Sequence, residues 1–174
     1  FIPTPGASNS LESTWELFNG GGLPVGEDPA VEELAYVGRL NWFWELAEGH
    51  DLNLGASSYM GKADAMGERE TRLYGADLTY KWKPFGQGEW HSFLLGVEGF
   101  KANVQTENGL YETPWGYYAW IQYQLNQSLY FGGRYDWTEH LVDATQKTIG
   151  YAAYLTYYTT EFLRFRLGYE AFQS

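Results

Sequence analysis

The stretch Thr71-Arg72-Leu73-Tyr74-Gly75-Ala76-Asp77-Leu78-Thr79-Tyr80-Lys81-Trp82-Lys83-Pro84 decides the fold class. Tyr74, Ala76, Leu78, Tyr80 and Trp82 fall on one parity, against Leu73, Gly75, Asp77, Thr79, Lys81 and Lys83 on the other. Only an extended strand, whose side chains alternate between two faces, separates residues with a period of two. The run therefore predicts a β-strand with one apolar, aromatic face and one face of glycine and charge. Pro84-Phe85-Gly86-Gln87-Gly88 supplies the residues of a turn after it.

The same alternation predicts seven more strands besides this one. Two precede it, over 33–46 and 51–60, and five follow, over 93–100, 115–124, 129–137, 148–158 and 163–170. The expected connections alternate, short after the first, third, fifth and seventh strands and longer after the second, fourth and sixth. Such an order suits an up-and-down meander better than the Greek-key connections of a soluble sandwich. Residues 1–30 hold most of the prolines and the Gly20-Gly21-Gly22 run, and they read as an irregular segment or outer loop. The expected organisation is thus 1–30 irregular, 31–171 a meander of eight membrane strands, and 172–174 a truncated loop or tail.

Composition narrows the environment. The 174 residues include 15 Tyr, 8 Trp and 10 Phe, an aromatic share of 19% that exceeds what an ordinary soluble core requires. A charge of -11, from 22 acidic against 11 basic residues, repels nucleic acid and leaves no basic stripe for counterion release. With no Cys, thiol redox chemistry, disulfides and cysteine-ligated metals are excluded. No run of 18 apolar residues is present, so helical membrane spans are excluded too, whereas a membrane strand needs only about 9–11 residues.

The two faces carry different chemistry. One is uniform, with Leu, Ile, Val, Phe, Ala and Tyr in the strand middles, and it suits contact with lipid. Its rings fall at two levels, as bilayer interfaces demand: Trp42, Trp44, Trp82 and Trp90 near the short turns, Trp115 and Trp137 near the longer loops. The other face carries Arg39, Asp77, Lys81, Glu98, Gln122, Arg134, Asp136, Arg164, Arg166 and Glu170, which are costly in hydrocarbon and suit a watery or internally paired lumen. Glycines 55, 75, 96, 116, 132, 150 and 168 recur on that inward face, where they relieve crowding or let neighbouring Tyr rings pack across strands. The expected fold is therefore all-β: an antiparallel up-and-down transmembrane barrel, eight strands visible, complete or part of a larger barrel.

The Thr71–Pro84 stretch, together with Tyr154-Leu155-Thr156-Tyr157-Tyr158 and Glu161-Phe162, resembles Gram-negative outer-membrane porin-like β-barrel proteins, some of them labelled zinc-regulated TonB-dependent receptors. The resemblance extends from about Glu32 to Tyr169. It implies a porin-like C-terminal barrel region in the outer membrane, with more than eight strands in the whole barrel, so that this chain is a fragment of it. Outer-membrane lipid and lipopolysaccharide are the implied surroundings, with small solutes as the implied cargo.

Catalytic and metal chemistry find little support. His50, His91 and His140 show no pairwise metal-ligand spacing, and the best local cluster, His140 with Glu139 and Asp143, reads as solvated loop. His91 near Glu89 reads as a rim residue. Ser92 and Ser128 lack a nucleophile elbow or a resolvable triad. No enzyme activity, cofactor or metal is expected. Two functions remain: passive passage or reception of small solutes, and a structural or adhesion barrel whose outer loops bind a partner.

Overall fold

A computed structural model describes residues 2–3, 9–19, 34–62, 69–88, 90–106, 108–140 and 145–174. Among these, every regular element is a strand: β1 (Ile2–Pro3), β2 (Asn9–Asn19), β3 (Leu34–Ala47), β4 (His50–Lys62), β5 (Glu70–Trp82), β6 (Ser92–Gln105), β7 (Tyr111–Glu112), β8 (Trp115–Gln124), β9 (Leu129–Glu139), β10 (Lys147–Tyr158) and β11 (Arg164–Gln173). All pairings are antiparallel, and each long strand neighbours the next in sequence. The tiny β7 pairs with the end of β6, off the main path. Among the described residues the sheet is an up-and-down meander that is not closed into a barrel, since β11 pairs with neither β1 nor β2.

Local chemistry sets the turns. Glu48 and Gly49 join β3 to β4, with Gly49 at φ 75°, a left-handed conformation that glycine adopts without strain. Between β8 and β9 the Asn126 side-chain oxygen accepts the backbone N–H groups of Ser128 and Leu129, both at 3.0 Å. Thr160 does the same for Phe162 and Leu163 before β11.

Three expectations need correction. The segment 1–30, read as irregular, contains β2, paired with β3 from Asn9↔Trp44 to Asn19↔Leu34. Its alternation (Leu11, Ser13, Trp15 and Leu17 against Ser10, Glu12, Thr14 and Glu16) is diluted by Ser13 on the apolar parity. The tail is likewise shorter than expected, because β11 runs to Gln173 and pairs with β10 up to Ile149. The connection after β5 is not short: it runs from Lys83 to His91, holding a tight turn in which the Gln87 N–H donates to the Pro84 carbonyl at 3.3 Å.

Strands also run further than the apolar pattern does, mostly at the loop end. β5 begins at Glu70, β6 continues to Gln105 and β9 to Glu139. Backbone pairing continues there although the side chains have become polar.

Register fixes which residues share a face. Cross-strand partners place Trp42, Leu54, Leu78, Val97, Ala119, Tyr135, Tyr151 and Ala171 on one row of the outward face. This row enters at Leu11, the third residue of β2 from its turn-side end, and leaves at Ala171, the third residue of β11 from its loop-side end. A row that drifts from one rim to the other is stagger, the property that accompanies tilted strands in barrels.

The buried residues invert the soluble pattern. Among strand residues other than glycine, Ala35, Thr71, Ala102, Val104, Gln124 and Thr156 are buried, and all lie on the parity of the charged face. Apolar residues in the strand middles of the other face stay exposed or half-exposed, with Leu40 at 46%, Ile121 at 42%, Phe131 at 45% and Leu155 at 41%. An apolar surface this continuous has an unfavourable contact with water and a favourable one with hydrocarbon.

Candidate lumenal face

The inward face is a ladder of charged pairs built across strands. Arg39 on β3 reaches over β4 to Asp77 on β5: its Nη2 donates to Oδ1 at 3.0 Å and lies 2.9 Å from Oδ2. Gly55 on β4 makes that reach feasible. It stands directly opposite Asp77 in the register, and a Cβ there would collide with the carboxylate.

Next to Asp77, Glu98 on β6 accepts a hydrogen bond from the Tyr118 hydroxyl on β8. The Arg134 guanidinium on β9 lies 4.3 Å from the centroid of the Tyr118 ring, a cation–π contact, and its Nε donates to both Asp136 carboxylate oxygens at 2.8 and 3.0 Å. The chain Arg39–Asp77, Glu98–Tyr118, Arg134–Asp136 thus crosses the sheet from β3 to β9 in adjoining steps. Lys81 and Asp51 form a looser pair at 3.8 Å, nearer the turn rim.

Arg166 on β11 covers the Tyr154 ring at 4.6 Å and donates through Nε to Thr156 Oγ1 at 3.0 Å. Glu170 and Arg134 line one cavity of about 360 Å³ with Asp136, Thr138 and Phe172. Gln122 and Arg164 point inward without a side-chain hydrogen bond or ion pair among the described residues. The ten polar positions expected on this face all share its parity. Most are drawn into pairs, and the pairing partners Tyr118, Tyr154 and Thr156 are what sequence reasoning left without a role.

Glycine and aromatic rings interlock on the same face. Trp120 lies over Gly96, Tyr154 over Gly132 and Phe172 over Gly150, each ring directly opposite its glycine in the register. A ring folded onto a neighbouring glycine replaces the missing side-chain contact and pins the register. The signal for these pairs was the recurrence of inward glycine, legible without its partners.

On the outward face, Trp44 and Trp82 lie toward the turn rim, with Trp82 opposite His50 and Phe93, and Trp90 is exposed in the connection after β5. Trp42 sits deeper than expected, in the interior of β3, 4.4 Å from Trp44 between ring centroids. Trp115 and Trp137 approach each other to 4.4 Å near the loop rim, with Tyr117 stacked on both.

The chemistry of the histidines is local. His50 Nδ1 lies 2.7 Å from the Tyr80 hydroxyl, His91 stacks on Tyr123, and His140 Nε2 lies 3.0 Å from Thr148 Oγ1. Ser92 donates to Gln124 at 2.9 Å. Glu89 and Asp143 lie outside the described residues, and among the described ones no three potential metal ligands converge. Comparison with protein families, curated proteins and solved structures found no match to this chain.

Proposed function

We propose that this chain forms the wall of a non-enzymatic outer-membrane β-barrel through which small solutes pass passively. The observation that carries the reading is the sorting of charge by face through the strand middles: ion pairs on one side, and on the other an apolar belt bounded by aromatic rings, with charge only at its loop-end rim. On β5 that belt extends from Tyr74 to Trp82, eight steps in the register. At about 3.3 Å per residue this is about 26 Å of strand, the scale of a barrel's apolar band.

The inward face could not serve as the lipid side. Arg39, Lys81 and Arg134 keep 40%, 48% and 47% of their side-chain surface exposed on that face, and such a charge at mid-membrane depth on a lipid-facing side costs about 2–4 kcal/mol. Closure belongs to the proposal, since a strand edge with unpaired amides is not tolerated in hydrocarbon. The free edge of β11 and the edge formed by β1 and the rest of β2 pair with each other or with further strands.

The test is reconstitution of the folded protein into planar bilayers. Stepwise conductance, altered in size by Arg134→Ala or Arg166→Ala, is the expected result. Confirmed insertion with silent membranes would overturn passage and favour a structural or adhesion barrel.

A further inference from the structure

All the charges on the outward face of the strands lie at one rim. Among the described residues they are Lys62, Glu70, Arg72, Lys101, Glu139 and Lys147, all at the loop end. Cations outnumber acids there, although the chain as a whole carries -11. The outward positions at the turn end are uncharged, with Trp44, Trp82, Tyr123 and Phe165 among them.

Beneath Lys101 the apolar belt is indented. Ala76 and Gly99 are cross-strand partners, and they form the floor of an open groove of about 810 Å³ walled by Tyr74, Trp115 and Tyr117. Gly99 is not required by packing. A Cβ there would find its nearest neighbours, the Gly116 carbonyl oxygen and Tyr117 Cβ, at 3.9 Å, whereas one at Gly38 on the same face would meet the Trp15 ring at 2.9 Å. The fold therefore leaves a slot where it had room for a side chain.

The charges around the slot are unequal. Glu139 reaches it, but its Oε2 accepts the Trp115 backbone N–H at 3.2 Å. Arg72 is paired with Glu70 at 2.9 Å, and Lys147 lies 5.5 Å from the Trp137 ring centroid. Lys101, at the head of the slot, forms no ion pair among the described residues and is exposed.

We infer that this groove holds an acyl chain of a lipid whose headgroup carries a free phosphate, with Lys101 on the phosphate. The inference rests on the membrane reading above. Apolar walls take the chain, the missing side chain at Gly99 admits it, and the ammonium meets the anion at the depth where the aromatic level ends. The one-sided placement of the cations directs this site to the leaflet on the loop side.

The experiment is native mass spectrometry of the full chain refolded in a zwitterionic detergent, with dioleoyl phosphatidic acid, dioleoylglycerol and inorganic phosphate as probes. Insertion into phosphatidylcholine vesicles is measured alongside. Retention of one phosphatidic acid, at least tenfold over dioleoylglycerol and undiminished by excess inorganic phosphate, is expected. Gly99→Leu, which fills the slot, and Lys101→Glu should each reduce it at least fivefold without changing insertion, while Lys83→Glu at the opposite rim should leave it within twofold. Inserted protein that retains both lipids equally, loses the adduct to free phosphate, or ignores both variants would overturn the site while leaving the membrane reading intact. Failure to insert would overturn both.

Discussion

Gly55 and Gly99 are the same residue type with opposite roles. Gly55 is required, because Asp77 occupies the space of its absent side chain to reach Arg39, whereas Gly99 faces open room. Gly55→Val should break the ion pair and cost about 1–3 kcal/mol, the usual penalty of overpacking, while Gly99→Val should leave stability nearly unchanged. Urea unfolding midpoints of the two variants in detergent would check the contrast. Tyr118→Phe removes the hydroxyl that donates to Glu98 and should cost about 1–3 kcal/mol, read from the same midpoints. At this scale the sequence was half legible. Parity placed Arg39, Asp77 and Arg134 on one face, but whether Arg39 reaches past β4 to Asp77 depends on register, which no single strand encodes.

Each strand carries its environment in its alternation, and this is why the eight long strands from β3 onward were legible and β2 was not. On β5 or β10 the apolar parity contains large side chains, whereas on β2 Ser13 interrupts it within a Pro- and Gly-rich neighbourhood. The loop-end extensions were missed for a related reason: pairing continues after hydrophobicity stops, and the charged ends at Lys62, Glu70 and Lys101 fall outside the expected strands. Adjacent positions on one strand should therefore respond very differently to the same charge. Leu78→Lys, at the middle of the outward face, should cost about 2–4 kcal/mol of folding into lipid vesicles, while Thr79→Lys, pointing inward, should cost much less. Denaturant titration of vesicle-inserted protein measures both; equal costs would contradict the assignment of faces.

For the whole molecule, the meander and its stagger supply a wall, and closure completes the proposal. Alternate amides of β11 point away from β10 in an antiparallel pair. In the inserted state these amides should be as protected from hydrogen exchange as those of β9, because an open edge has no place in hydrocarbon. The central claim, lipid on one face and water on the other, is tested most directly along β5, and the absence of native Cys makes the scan clean. Single cysteines placed at 74 through 81 in vesicle-inserted protein would be probed with a water-soluble thiol reagent and, after labelling with a fluorophore, with a lipid-phase quencher. Strict alternation is expected: positions 74, 76, 78 and 80 quenched by lipid and slow to react from water, with 75, 77, 79 and 81 the reverse. Uniform reaction from water at all eight positions would contradict it.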